Sequence, residues 1–211
     1  MDAIDHYRTM ARYNRLMNER LYAVASELSD QERKRDLGAF FRSVHGTLNH
    51  LLLTDRAWLG RFTHDRAVFE SLDAEGRPIH LTGALDQELY ADFAALRWER
   101  AQADVVIENF VDGITPERLV TPLTYRTSSG ERCEHPLWWA LSHFFNHQTH
   151  HRGQVTALLS ELGHNPGVTD LIAFWREGLL TRRGSTPRHA SRYTKTAASA
   201  PHLPRSKSIW F

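Results

Sequence analysis

The sequence predicts an all-α fold: a four-helix bundle of the up-down-down-up type, with a small β-hairpin insertion and a flexible basic C-terminal tail. Four long segments carry apolar residues at helical spacing, one short segment breaks that pattern, and residues 182–211 have little apolar bulk before Ile209. Because 41% of the 211 residues are hydrophobic, the chain can bury a sizeable core. We therefore expect a helical domain over residues 1–181 and a separate tail over residues 182–211.

The first two long helices are predicted over residues 3–28 and 38–62. The first contains no Gly or Pro, and its apolar side chains recur every three or four residues. The segment Ser29-Asp30-Gln31-Glu32 has the pattern of a capping box, which predicts a short helical turn. In the second helix we assign Phe40 and Phe41 to the apolar face, together with the leucines that follow.

Asp86 is predicted to cap a third helix that runs to about Val111. The pair Thr115-Pro116 predicts one further helical turn, because proline is favoured at the first helical position. Residues 119–135 then break the helical pattern around Ser128-Ser129-Gly130, which predicts the β-hairpin.

A fourth long helix is predicted to begin at Pro136 and to end at about Leu162, because Gly163 follows. Within it, Gly153 is attributed to close packing against another helix, because glycine costs about 1 kcal/mol there relative to alanine. Residues 170–180 are predicted to form a short fifth helix.

The composition narrows the class of protein. A net charge of +1 argues against a strongly basic nucleic-acid-binding protein. No apolar run approaches the ~18 residues of a membrane span. Cys133 is the only cysteine, so no internal disulfide can form and the composition suits a reducing compartment. The start of the chain lacks the basic and apolar regions of a signal peptide. We expect a cytoplasmic protein that binds neither membranes nor nucleic acid.

The predicted tail has a charge of its own. Residues 182–211 hold seven basic and no acidic side chains, so the rest of the chain carries a net charge of −6. Such a segment is typical of a solvated extension without a core. Contact with nucleic acid or anionic lipid is the alternative for this segment.

The fourth helix carries the strongest chemical signal. Thirteen histidines are many for this length, and His147 and His151 lie four residues apart, about 40° from each other on one helical face. His143 lies about 40° further back, and His150 about 60° from His147. Two imidazoles one turn apart can point at one metal ion. The alternative is that these are ordinary hydrogen-bonded histidines.

A third ligand has to come from another helix, and the second helix offers His50. The residues within about 60° of it, such as Gly46 and Thr54, are small or polar and leave room for a ligand. His45 lies about 140° away among bulky apolar residues, where a packing role or a supporting contact to a metal ligand is expected. Asn14 and Asn18 either line a pocket or hydrogen-bond across the bundle.

Asp55 lies among apolar positions of the second helix, so a buried partner is expected. Arg152 and Arg56 are the candidates, and a hydrogen bond to a ligand imidazole is the alternative.

Together these residues resemble the DinB family, within the DinB/YfiT-like superfamily of metalloenzymes. The resemblance spans roughly residues 3–178 and rests on three blocks in this order: Tyr13-Asn14-x-x-Met17-Asn18, Gly46-Thr47-Leu48-Asn49-His50-Leu51-Leu52-x-x-Asp55-Arg56-x-Trp58-Leu59 and Asn146-His147-x-x-His150-His151-Arg152-Gly153-Gln154. The resemblance implies a four-helix bundle, a homodimer and a divalent ion, often zinc or nickel. Carried over by position, its three histidine ligands are His50, His147 and His151.

The family takes its name from damage-inducible expression, and its relatives include two kinds of thiol-dependent enzyme, mycothiol-dependent maleylpyruvate isomerase and bacillithiol S-transferases. The first hypothesis is therefore an enzyme whose ion activates a small-molecule thiol for S-transfer or isomerisation, with metal-assisted hydrolysis second. His143, His150 and Asp55 are the candidate general bases. The alternatives are a non-catalytic metal-binding stress-response protein and a dimeric interaction module with a vacant site.

Overall fold

The computed structural model describes residues 3–64, 72–73, 76–80, 82–127 and 130–180. The elements follow one another along the chain as α1 (Ala3–Ala25), α2 (Asp30–Lys34), α3 (Val44–Thr63), α4 (Phe93–Asp112), α5 (Pro116–Val120), β1 (Pro122–Arg126), β2 (Arg132–Pro136), α6 (Leu137–Glu161) and α7 (Leu171–Arg176). The fold is mostly helical with one small hairpin, as predicted. The predicted tail at 182–211 and the hairpin residues Ser128 and Ser129 lie outside the described residues.

Local capping signals located several helix ends correctly. Ser29 and Glu32 form the predicted capping box: the Ser29 side chain accepts from the Glu32 N–H, and the Glu32 carboxylate accepts from the Ser29 N–H. The Thr115 side chain caps α5 by accepting from the Arg118 N–H, without a reciprocal bond. Gly163 follows α6 with a φ of 86°, a conformation that glycine adopts without strain.

The predicted start of the second long helix was wrong. α3 begins at Val44, six residues later than expected, because the Ser43 side chain caps it by accepting from the Gly46 N–H at 3.0 Å. Phe41 and Arg42 belong instead to a tight turn, closed by the Ser43 N–H donating to the Phe41 carbonyl at 2.7 Å. Arg42 has a φ of 64°, which is uncommon for a residue with a side chain. Apolar periodicity cannot detect such a turn.

The predicted cap of the third long helix was also wrong. Asp92 caps α4 by accepting from the Ala95 N–H at 2.7 Å, whereas Asp86 lies in a loop over residues 82–92. The Leu89 and Tyr90 N–H groups in this loop donate to the side chain of Asn49, which takes the place of the backbone carbonyls that would accept from them in a helix.

The predicted hairpin is present. β1 and β2 pair in antiparallel register, with Leu123 opposite His135 and Tyr125 opposite Cys133. Leu123 is fully buried and joins an apolar cluster with Leu137 and Leu141, so the hairpin packs against the start of α6.

The four long helices pack pairwise, with α1 and α3 each in contact with both α4 and α6. Their apolar side chains form two clusters, one around Met17, Leu48 and Leu96, the other around Ile107 and Phe144. Every long helix also carries buried polar residues: Asn14, Asn18, Asp55, Arg100, Asp104, Gln148 and Arg152. We call this set the polar layer. None of the described helices has both the length and the apolar character that a membrane span requires.

Two glycines of the histidine-bearing helices play different roles. A Cβ at Gly46 would lie 2.2 Å from the Phe41 carbonyl oxygen, so only glycine lets the turn approach α3. Gly153 is exposed, and a Cβ there would meet nothing within 4 Å, so the close-packing interpretation was wrong.

Gly46→Ala is therefore expected to destabilise the protein by about 1–3 kcal/mol, because the turn must move away from α3. Gly153→Ala is the matched control and is expected to stabilise it by about 0.5–1 kcal/mol through helix propensity. Urea unfolding followed by circular dichroism measures both changes. Equal effects of the two substitutions would contradict the close approach at Gly46.

Candidate metal centre

Three histidines from two helices converge at the contact between α3 and α6. His50 lies on α3, and His147 and His151 lie one turn apart on α6. One potential ligand atom from each lies within 4.8 Å of the others. The ring centroid of His151 is 4.5 Å from that of His50 and 4.3 Å from that of His147. The structure thus brings together the three residues that the sequence singled out.

Hydrogen bonds set the orientation of two of these rings. His50 Nδ1 lies 2.7 Å from the carbonyl oxygen of Leu85, and His151 Nδ1 lies 2.7 Å from Oε1 of Gln154. Because an amide oxygen only accepts, each Nδ1 carries the proton and each Nε2 keeps its lone pair. Nε2 of His50 is buried without a hydrogen-bond partner among the described residues. An orphaned buried acceptor of this kind suits a ligand position.

The electrostatics keep these imidazoles neutral. Burial, together with the nearby His151, lowers the pKa of His50 to about 4. Burial, together with His151 and His50, lowers the pKa of His147 to about 3. Burial also lowers the pKa of His151 below its ordinary value. All three rings are therefore neutral near pH 7, which is the form that binds a metal ion.

The arrangement fits one divalent ion. Nitrogen atoms at about 2.1 Å from a tetrahedral ion lie about 3.4 Å apart, so small side-chain rotations would close the observed group. Three imidazoles leave one position open, as in catalytic rather than structural zinc sites. The cluster can therefore hold a metal ion and leave room for a further ligand.

An aromatic side chain covers one side of the cluster. The ring of Phe41 stacks on His50 with centroids 3.8 Å apart, and its edge meets His151 at 5.5 Å. Sequence reasoning missed this role because Phe41 was assigned to a helix that in fact begins three residues later. Its position depends on the tight turn before α3, which gives no periodic signal.

A cavity of about 440 Å³ opens beyond Phe41. It is lined by both aromatic and charged residues: Lys34, Asp36, Phe40, Phe41, Arg42, Ser43, Gly46, Asp86 and Glu88. The ring of Phe41 is thus shared between the cavity and the histidine cluster.

The other histidines named from the sequence lie outside this three-residue group. His45 is fully buried, and its Nε2 lies 2.8 Å from the Tyr90 carbonyl, which confirms the expected packing role. His143 and His150 are exposed neighbours of the cluster, with ring centroids 5.8 Å from His147 and 4.8 Å from His151 respectively. Their role as general bases stays a prediction.

The predicted partners of Asp55 were wrong. Arg100 of α4 donates to Asp55 Oδ2 at 2.5 Å, and Gln148 donates to the same oxygen at 3.0 Å. Arg56 instead pairs with Glu99, and Arg152 donates to Asn14 Oδ1. Arg100 was missed because no motif in its own segment marks a buried arginine.

Asp104 completes the polar layer. Asn14 and Asn18 donate to its Oδ1 at 3.1 and 2.9 Å, so they form hydrogen bonds between α1 and α4, and bonding to another helix was one of their two predicted roles. Arg100 also lies 3.0 Å from the same oxygen. Burial raises the pKa of Asp104 to about 6, although Arg100 opposes this shift. The layer contains two carboxylates and two guanidinium groups, so its charges balance when all four are ionised.

Fold and site together define a helical protein with a cluster of three histidines whose geometry can hold a metal ion. The chain belongs to the DinB family, whose model matches residues 3–183. Protein DinB of Bacillus subtilis (strain 168) is 25% identical over 162 residues, which covers 75% of this chain and 87% of that protein. No solved structure matches this chain. The family resemblance inferred from the three sequence blocks is therefore confirmed.

The polar layer gives a test of buried charge. Arg100→Met is expected to destabilise the protein by about 3–5 kcal/mol, because Asp55 and Asp104 lose their shared cation in the core. Arg132→Ala breaks an ion pair with Glu134 whose side chains are more than half exposed, so it should cost less than about 1 kcal/mol. Thermal unfolding measures both. A loss as small for Arg100→Met as for Arg132→Ala would exclude a stabilising role for the buried arginine.

Proposed function

We propose that this protein is a metal-dependent enzyme in which His50, His147 and His151 hold one divalent cation, zinc or nickel. The observation that carries the proposal is the convergence of three neutral imidazoles from two helices, with potential ligand atoms within 4.8 Å. Imidazole nitrogen suits both of these ions. Membership of the DinB family supports the same interpretation.

The chemistry proposed for the site is activation of a small-molecule thiol for S-transfer or isomerisation, with hydrolysis as the second possibility. A divalent ion with an open position acts as a Lewis acid and lowers the pKa of the thiol or water that it binds. The chain's own residues hold the imidazoles neutral and oriented, and Phe41 keeps solvent from one side of them.

The remaining parts of the proposal concern architecture. The four long helices form an up-down-down-up bundle, and the protein acts in the cytoplasm as a homodimer. Pairwise packing of α1 and α3 with α4 and α6 supports the bundle. Exposed tryptophans at positions 98, 138 and 139 are compatible with a subunit interface. Analytical ultracentrifugation of the full chain distinguishes a dimer from a 24.3 kDa monomer.

A non-catalytic metal-binding protein is the second candidate. It predicts a closed shell with a fourth protein ligand. Among the residues that the structure describes, the only group of this kind contains three histidines, which favours the open site of an enzyme. A screen of the metal-loaded protein with bacillithiol, mycothiol and glutathione separates the two functions. Metal binding without turnover of any thiol would favour the non-catalytic protein.

His147→Ala is expected to lower metal affinity by more than about 100-fold, because it removes one of only three ligands. Helix content should stay nearly unchanged, since the side chain lies at the edge of the core. His6→Ala removes an exposed histidine on α1 and serves as the matched control. Elemental analysis and circular dichroism of the purified variants give the two readings. Unchanged metal stoichiometry in His147→Ala would defeat the ligand assignment.

Added Zn²⁺ or Ni²⁺ is expected to raise the melting temperature of the metal-free protein, because the ion binds the folded chain preferentially. The stabilisation should reach about 2.7 kcal/mol when the free ion is at 100 times its dissociation constant. The same titration of His147→Ala should give little shift. A vacant-site module predicts no shift in either protein.

A further inference from the structure

Two of the ligand imidazoles hydrogen-bond to other groups of the protein, one to a helix side chain and one to a loop carbonyl. Gln154 belongs to α6, three residues after His151, and is half-buried. Its Oε1 accepts from His151 Nδ1, while its Nε2 lies 3.3 Å from Nε2 of His150. The amide is therefore held between two adjacent histidines, with its oxygen directed at the one in the cluster.

The acceptor for His50 is a backbone carbonyl in a loop. Leu85 lies in the 82–92 loop, which contains no helix or strand, so its carbonyl position depends on how that loop is held. Asn49 holds it: Oδ1 accepts from the N–H groups of Leu89 and Tyr90 at 2.9 Å each, and Nδ2 donates to the Tyr90 carbonyl at 3.2 Å.

Asn49 and His50 are consecutive residues that both hydrogen-bond to this loop, but at different groups. Asn49 is 1% exposed and fixes the loop, and the loop in turn orients the ring of His50 through Leu85. A change in the loop therefore reaches the imidazole directly. Conversely, fixing the imidazole on an ion restrains the carbonyl and the loop that carries it.

We propose that Gln154 and the Asn49-held loop are positioning groups of the metal centre. They hold His151 and His50 in the tautomer that presents Nε2, and thereby set the affinity for the ion. This inference rests on the proposed metal binding and adds two features to it. The site depends on residues that are not ligands, and metal binding is energetically coupled to the order of the 82–92 loop.

The first test compares substitutions of Gln154 by competition for Zn²⁺ with a chelating dye at neutral pH. Gln154→Ala is expected to weaken binding about 10- to 100-fold, because the ring loses the acceptor that sets its tautomer. Gln154→Glu restores an acceptor oxygen and should bind at least as tightly as the unmodified chain. Thr156→Ala on the same helix is the control and should not change the affinity.

Three outcomes of this test are distinguishable. Wild-type affinity in Gln154→Ala, or equal weakening in Gln154→Glu and Gln154→Ala, would overturn the positioning role alone. Absence of Zn²⁺ binding by the unmodified chain would overturn the proposed function and this inference together.

The second test measures amide hydrogen exchange in the unmodified chain, so it does not depend on a variant that folds. Zn²⁺ is expected to slow exchange of the Leu89 and Tyr90 amides about fivefold or more, because coupling between the sites is reciprocal. Amides in β1 and β2 serve as the control and should exchange unchanged. Equal exchange at Leu89 and Tyr90 with and without the ion would refute the coupling of loop and metal.

A substitution of the loop's anchor supplies the converse measurement. Asn49→Ala is expected to weaken Zn²⁺ binding about tenfold or more while the circular dichroism spectrum stays helical. A helical Asn49→Ala protein with unchanged Zn²⁺ affinity would refute the role of the loop. Should this variant unfold, the exchange measurement on the unmodified chain decides the question.

Discussion

The contact between α3 and α6 is the interaction on which the rest of the structure depends. Two polar links cross it close together: the histidine cluster joins His50 to His147 and His151, and a hydrogen bond joins Asp55 to Gln148. Each link demands the same relative position of the two helices. A small shift would leave buried polar atoms without partners, which costs more than the loss of an equal apolar contact.

Burial disfavours the charged form in both groups of polar side chains, but only the polar layer contains partners of opposite charge. In the histidine cluster it lowers the pKa values, so the rings lose charge and become suitable ligands. In the polar layer Arg100 lies within ion-pair distance of both Asp55 and Asp104, so these carboxylates have a charged partner that the histidines lack. A neutral centre and a charge-balanced layer can thus occupy adjacent parts of one core.

Two segments without regular secondary structure contact the histidine that α3 contributes to the cluster. The turn that ends at Ser43 places the Phe41 ring on His50, and Gly46 permits its close approach to α3. The 82–92 loop brings the Leu85 carbonyl to Nδ1 of the same imidazole. A single ligand residue is therefore oriented by two segments with no regular secondary structure, and such segments are where functional constraint often concentrates.

Local chemistry was readable from the sequence by itself. Helical spacing placed His147 and His151 on one face, the Ser29 capping box and the Thr115-Pro116 signal located short helices, and the three sequence blocks pointed to the family. The shared helical face and the two capping signals depend on residues within one or two turns of each other, where backbone geometry alone sets the relation. Only the tertiary structure decided that Arg100 is the partner of Asp55 and that Phe41 and Leu85 reach His50. None of those contacts lies within a single helix or strand, and burial rather than sequence spacing selects them.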